Sequence, residues 1–376
     1  MLDLADETRS HYSTPLLIRM FYSQAWFLKL FALSLFLPAA ALPLEAVADI
    51  GDAGLELTLP AEVDRIIETR TCESCTIVVA DLSEADLSAA LFKGSRFVEA
   101  RFVDTTLVEA DLSDTWIESA AMFGADLKQA NLHNAHLDRV WLNNADLTDT
   151  NLSSARINGY FNNANLSGAD LTNTQIRSAD FTGADLTNTD FTAANVAFVY
   201  FVDTDLRNTD LHQATFETII YDTRTQFPEG FSLPESGTYL FAPHSSVAGV
   251  GASGLDLAEQ DLTGLDIRTS QVKADFSRAI LNEANFENTN AYRSNLTGAS
   301  LVDARFCNAQ LVRINLTDAN LQGADIRGAD LTRAIVDGTN FQGAIYNADT
   351  QFPEGFDPTA AGAVLDEVSA DCPPLE

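Results

Sequence analysis

Large apolar residues recur at every fifth position of this chain from Cys75 onward. Stretches such as VVADLSEADLSAALF and ANLQGADIRGADLTRA show the pattern. The large apolar residue, here called the centre, has a small residue two positions before it and often Asp or Asn directly before it. A helix would scatter such centres around its surface, and a flat strand would turn every second one outward. The spacing buries every centre only if the backbone turns a corner in each repeat.

Four corners of five residues each close a coil of about twenty residues, and stacked coils pair like parallel strands about 4.8 Å apart. The period therefore predicts a solenoid. Its residues resemble the A(D/N)LxX consensus of the pentapeptide-repeat family over nearly all of 76–221 and 255–346. The resemblance implies an all-β fold, a right-handed quadrilateral β-helix in which the centres and the residues two before them point inward.

The centres form two runs, one from Ile77 to Tyr221 and one from Leu257 to Tyr346, and each run slips once by one residue. Centres one coil apart should stack in columns. Two predicted columns are mostly aromatic: Phe161, Phe181, Phe201 and Tyr221 in the first run, and Phe286, Phe306, Ile326 and Tyr346 in the second.

Each run ends at a tyrosine that is followed by the same seven residues, TQFPEGF. Proline cannot donate to a strand ladder, and glycine permits a sharp reversal. We therefore predict two caps, in which each tyrosine ends a column and the phenylalanines cover the last coil. The predicted cap residues are Tyr221, Phe227 and Phe231, and Tyr346, Phe352 and Phe356. At the other end, LPAEVDRIIET (59–69) predicts a short helix over the first coil, with Pro60 near its start.

The predicted organisation has six parts. These are a signal peptide or N-terminal anchor (1–46), a capping segment with a short helix and a CxxC motif (47–75), a first solenoid with its cap (76–231), an irregular connector (232–254), a second solenoid with its cap (255–356) and an acidic tail (357–376). The two repeat runs thus predict two consecutive solenoids.

The N-terminal segment indicates export. Arg19 and Lys29 precede LFALSLFLPAAALPL, an uncharged run that is shorter than the roughly 20 apolar residues of a membrane span. Such a run is typical of a secretory signal peptide, with cleavage at 39–41 or 44–46 and Met20 as an alternative start. An uncleaved anchor remains the alternative, and only then do we expect contact with a membrane. Either way the body should lie in a periplasmic or extracellular, oxidising compartment.

Four cysteines are expected to have structural roles. Cys72 and Cys75 both fall at inward positions, which favours a structural disulfide or two buried thiols, because no further zinc ligands lie nearby. Cys307 follows a centre and should point outward. In an oxidising compartment we predict that it pairs with Cys372 and ties the tail to the second solenoid.

The formal net charge of -32 argues against direct binding of nucleic acid through a basic surface. Over half of the acidic residues in 76–221 are aspartates directly before a centre, where a short side chain can bond the turn backbone. Some members of the family that the sequence resembles are cytosolic DNA mimics that bind DNA gyrase. If the protein were cytosolic, an acidic, DNA-mimicking regulator would be the alternative function.

On the first solenoid, basic and aromatic residues replace Asp and Asn before centres on two neighbouring faces. These candidate partner-binding residues are Arg96, Arg101, Trp116, His136, Trp141, Arg156, Tyr160 and Tyr200. Tryptophan and arginine grouped on a surface are typical of recognition sites, although the connector or tail could also pack there. No catalytic triad, phosphate-binding loop or metal-ligand spacing is present in the sequence. We expect no catalytic, cofactor or metal site, and predict a scaffold for protein binding or a structural role; an enzyme would need a cleft between the solenoids.

Overall fold

The computed structural model describes residues 57–234 and 237–367. The predicted leader, its cleavage sites and Cys372 lie outside the described residues. Within the described part, no helix is long and apolar enough to cross a membrane.

The described chain begins with one helix, α1, which spans Pro60–Thr69. Proline is favoured at the first helical position, because its missing N–H has no partner there anyway. The helix ends where Arg70 adopts a left-handed conformation and donates its backbone N–H to the Ile66 carbonyl at 2.8 Å. Ile66 is fully buried, and Val63 and Ile67 pack against the first hydrophobic core. The helix lies over the first coil, as predicted.

After α1, the described chain is built of coils, and each coil pairs in parallel with the next. The strands are β1 (Thr76–Val78), β2 (Arg96–Val98), β3 (Trp116–Glu118), β4 (His136–Trp141), β5 (Arg156–Tyr160), β6 (Gln175–Asp180), β7 (Asn195–Tyr200), β8 (Thr215–Asp222), β9 (Thr238–Phe241), β10 (Gly251–Asp256), β11 (Gln271–Asp275), β12 (Ile345–Tyr346) and β13 (Val364–Leu365). Strands β1 to β9 form one parallel sheet in chain order, and β10–β11 and β12–β13 form two-stranded sheets. Isolated parallel bridges, such as Asp126↔Asp146, hold the other sides of the coils. This is the β-solenoid that the sequence predicts.

The corners explain the polar half of the repeat. Asp146, directly before a centre, accepts the backbone N–H of Thr148 at 3.1 Å through Oδ1. Asp149, the residue after Thr148, has a positive φ of 55°. Aspartate and asparagine tolerate that left-handed conformation better than most residues. The same arrangement recurs at many corners, so much of the acidity serves to form turns.

The aromatic columns stack inside the two cores. Ring centroids are 4.9 Å apart for Phe161 and Phe181 and 5.8 Å apart for Phe181 and Phe201. In the second solenoid, Phe286 and Phe306 stack at 4.8 Å. All these rings are almost completely buried. Each stacked pair adds about 0.5–1.5 kcal/mol beyond the burial of its area.

The two TQFPEGF segments adopt the same arrangement. In the first, Phe227 meets Tyr221 edge-on at 5.4 Å and lies 5.7 Å from Phe231. In the second, Phe352 meets Tyr346 edge-on at 5.4 Å and lies 5.4 Å from Phe356. All six rings lie only partly exposed, at the end of a column.

The connector is more regular than the sequence indicated. Strand β9 pairs with β8, Ser246 bridges to Asp266, and β10 pairs with β11, so the described residues from Thr238 to Asp256 build a coil. Its positions in register with the centres of the next coil hold Ala242, Val247 and Ala252, which are all buried. Two of these are too small to be recognised as centres, which is why the pattern starts the second solenoid one coil late.

The two hydrophobic cores meet at β8. Ile219 belongs to the first core, and Tyr221 packs against it. Ile220, between them, belongs to the second core together with Val202 and Phe241. Adjacent residues of a strand point to opposite faces. The two cores therefore lie on opposite faces of β8.

Cys307, which follows a centre, is fully buried even though it is not part of the hydrophobic core of the second solenoid. Its column is covered, since Arg327 and Asn347, one and two coils further on, are buried as well. Arg327 donates to Asp366 of the C-terminal segment at 2.9 Å. Cys307 is disulfide-bonded; its predicted partner, Cys372, lies outside the described residues, so the pairing stays a prediction.

Candidate functional site

The strand-bearing side of the first solenoid differs in chemistry from its other sides. Bridges elsewhere join residues of the Asp/Asn type, such as Asp185 and Asp205. On the strand-bearing side and on the side that follows it, the outward positions before centres form ladders of basic and aromatic residues, one on each side. One ladder is Arg96, Trp116, His136 and Arg156, paired in that order. The other contains Arg101, Trp141, Tyr160 and Tyr200, with Ala121 and Asp180 between them.

The centre of the first ladder is a stacked pair of rings. Trp116 and His136 lie with centroids 4.0 Å apart and planes 13° apart. The tryptophan is 53% exposed, although it is among the largest apolar side chains in the protein. Burial, and then the charge of Arg156, lower the pKa of His136. The imidazole is therefore neutral near pH 7, which suits a stack against indole.

Charges are positioned beside the stack. Glu118 accepts from Arg96 at 3.2 Å and from Arg139 at 2.7 Å. Burial, and then the charge of Glu118, raise the pKa of Glu99. The sequence did not single out Glu118 and Arg139, because they follow a centre instead of preceding it. Their spacing of 21 residues, one coil plus one position, was the available signal.

The second ladder carries a further stack. Trp141 and Tyr160 lie almost parallel, 8° apart, with centroids 6.4 Å from one another. Arg101, two coils before Trp141, pairs with Asp81 at 3.8 Å. The structure thus brings seven of the eight predicted partner-binding residues into two adjacent ladders on neighbouring sides of the first solenoid.

Tyr200 does not share the exposed surface. Its hydroxyl donates to the Gly251 carbonyl at 3.5 Å and accepts the Ser253 N–H at 3.4 Å. The ring packs against the second core, and burial raises the pKa of Tyr200. The coil that the sequence missed covers this residue, so Tyr200 contributes to the junction between solenoids.

The two cysteines of the CxxC motif form a structural disulfide. Cys72 and Cys75 form a disulfide within the first coil, directly after α1. Cys72 is buried and Cys75 packs partly exposed against the core. Among the described residues, no group of three or more His, Cys, Asp or Glu side chains could hold a metal ion.

The family model for pentapeptide repeats matches eight copies, in residues 80–115, 122–159, 160–192, 184–218, 272–308 and 309–345. These segments include more than half of the chain. A comparison with curated protein sequences gives no match.

Solved structures of such proteins are similar to this chain. The pentapeptide repeat protein Rfr23 from the cyanobacterium Cyanothece is 25% identical over 29% of this chain and 88% of its own, with a TM-score of 0.28. HetL from Nostoc, involved in heterocyst differentiation regulation, is 26% identical over 77% of this chain and 97% of its own, with a TM-score of 0.18. A pentapeptide repeat protein from the Arabidopsis thaliana thylakoid lumen is 29% identical over 31% of this chain and 68% of its own, with a TM-score of 0.20.

Proposed function

We propose that this chain, which belongs to the pentapeptide-repeat family, is a non-catalytic, exported scaffold that binds a protein partner through the strand-bearing side of its first solenoid. The observation that carries the proposal is the exposed Trp116–His136 stack, with Arg96 and Arg156 on either side.

Physical arguments favour recognition at this stack. In protein interfaces, a few residues supply most of the binding energy, and tryptophan and arginine are enriched among them. The stack is held on consecutive paired strands, so its rings are already ordered. Preorganised side chains lose less conformational entropy when a partner binds.

The side also suits a protein partner better than a small molecule. Its rings lie in line along a ladder of strands rather than around an enclosed cavity. Small ligands favour concave sites that bury most of their surface. A flat, partly aromatic surface is typical of protein interfaces.

Affinity capture with matched variants tests the proposal. Three forms of the full protein, the wild type, Trp116→Ala and Leu91→Ala, would each be crosslinked in the native envelope fraction. The proteins captured with each form would then be quantified. Leu91 also precedes a centre and is 44% exposed, on a neighbouring side, which makes it the control. We expect Trp116→Ala to reduce capture of a specific partner by at least about tenfold, and Leu91→Ala to leave it unchanged.

Two results would contradict the proposal. Equal capture by wild type and Trp116→Ala would exclude the stack as the binding site. Localisation of a tagged protein in the cytosol would remove the exported scaffold and favour the DNA-mimicking alternative.

A further inference from the structure

A column of cations runs along one corner of the second solenoid. Its members are Arg293, Arg313 and Arg333, each twenty residues after the one before. The bridges Asn290↔Gln310 and Gln310↔Asp330 hold these coils in register. Successive side chains of the column, here called the cationic ladder, therefore start about 4.8 Å apart.

The arginines of the ladder lack the carboxylate partners that several other arginines have. Arg268 pairs with Asp266, Arg278 with Glu259 and Arg207 with Asp205, in each case with a nearby carboxylate. Among residues 57–234 and 237–367, neither Arg293, Arg313 nor Arg333 has a carboxylate within ion-pair distance. The chain has 54 acidic and only 22 basic residues, so three consecutive unpaired arginines are unexpected.

Local structure does not explain the ladder either. All three arginines have a φ of 60°, a conformation that is unfavourable for residues with a Cβ. The neighbouring corner has glycine at two of its three corresponding positions, Gly298 and Gly338. Aligned guanidinium groups also repel one another. The Arg293 guanidinium carbon lies 5.1 Å from the centroid of the Tyr292 ring, which is a cation–π contact.

We propose that the cationic ladder binds a short acidic peptide segment of a partner protein, at a site separate from the Trp116–His136 stack. Guanidinium groups form paired hydrogen bonds with carboxylates, which fixes the geometry of each contact. Three guanidiniums one coil apart span about 10 Å, the length of about three residues of extended chain. A run of Asp and Glu residues fits that span, and the Tyr292 ring offers it an apolar surface.

The extent of the ladder favours a short peptide over nucleic acid. The positive charge of the ladder lies along one corner of the second solenoid, in a protein whose net charge is -32. A long polyanion would extend from the ladder over acidic surface and be repelled there. A short acidic segment would contact only the ladder.

Binding of a labelled peptide to the full protein tests the inference. The probe is fluorescein-labelled hexaglutamate, followed by anisotropy at low salt. The variant R293N/R313N/R333N removes three charges and keeps a residue that tolerates positive φ. We expect it to weaken binding by about tenfold or more. Higher salt should weaken binding to the wild type.

The control removes the same charge elsewhere. R207N/R268N/R278N replaces three surface arginines that already have partners, and it should bind hexaglutamate like the wild type. Thermal melting of both variants checks that each remains folded. Equal losses in the two variants would overturn the proposal, because the effect would then be one of net charge. Equal binding of hexaglutamine would overturn it too. Tighter, ladder-dependent binding of oligothymidylate would replace the acidic peptide with nucleic acid.

Discussion

At the scale of single residues, Asp222 joins the two solenoids. Its side chain is completely buried directly after the tyrosine that ends the first aromatic column. The carboxylate accepts Arg224 Nε at 2.7 Å, the Asp203 backbone N–H at 2.9 Å and Gln260 Nε2, from the second solenoid, at 2.9 Å. Arg224 in turn donates to the Asp256 carbonyl at 3.1 Å. One carboxylate thus satisfies donors from both halves.

Removal of this carboxylate should destabilise the protein. Asp222→Ala leaves the buried Gln260 amide and Arg224 Nε without this acceptor, while Arg224 keeps the Asp256 carbonyl. We expect a loss of about 2–3 kcal/mol in the free energy of unfolding. Chemical denaturation followed by circular dichroism measures it. Asp205→Ala removes a partly exposed aspartate whose arginine partner, two residues later, is exposed, and it should cost less than about 1 kcal/mol. Equal losses in the two variants would show that Asp222 has no special role.

The residue scale is also where the sequence predicted least. The period of five identifies which residues point inward, because that depends only on chain geometry. It does not reveal what covers an outward residue. Cys307 and Tyr200 both occupy outward positions and are both covered, Tyr200 by a coil whose small centres escaped recognition. The sequence could predict that Trp116 and His136 lie side by side, since residues one coil apart must be neighbours. It could not predict the ion pairs next to them.

At the scale of structural elements, stacked coils and their aromatic columns supply the core. Phe181 lies between Phe161 and Phe201 and is fully buried, so it contacts an aromatic ring on both sides. Coils of a solenoid contact only their neighbours. Stability should therefore depend on each column member through its own coil and the two adjacent ones.

Truncation of one ring tests this dependence. Phe181→Ala should lower the free energy of unfolding by about 3–5 kcal/mol, because it removes two ring contacts and leaves a cavity in a tightly packed column. Phe123→Ala, at an exposed position of the same solenoid, should change it by less than about 1 kcal/mol. Amide exchange should show that Phe181→Ala loosens residues 161–201 more than the coils near α1. Uniform loosening of all coils would contradict the column model.

At the scale of the whole described chain, the two solenoids are coupled through β8 and β9. The parallel ladder continues from one into the other, and the buried Val202 and Ile220 of the first solenoid belong to the second core. The repeat pattern has two runs of centres, and the structure has two hydrophobic cores. It cannot predict their coupling, because Ile220 occupies a position that faces outward in every other coil.

A polar residue at this junction should separate the stabilities of the two halves. Ile220→Asn places an amide in the second core without removing any centre of the first. We expect it to cost about 2–4 kcal/mol and to increase amide exchange in 238–256 more than in 76–160. Ile335→Asn, in the second solenoid at a 48% exposed position, serves as the control and should leave exchange unchanged. Equal exchange increases across both solenoids after Ile220→Asn would contradict separate cores.

Because the two faces of β8 contact different cores, insertions and deletions within this strand should not be tolerated. Elsewhere the repeat tolerates the loss of one residue, as between Ile157 and Phe161 and between Val272 and Phe276, because a corner absorbs it. In β8 a one-residue insertion or deletion would exchange Ile220 with its neighbours and place every side chain against the wrong core. Related genes should therefore vary in the number and length of their coils, while the spacing between Ile219 and Asp222 stays constant.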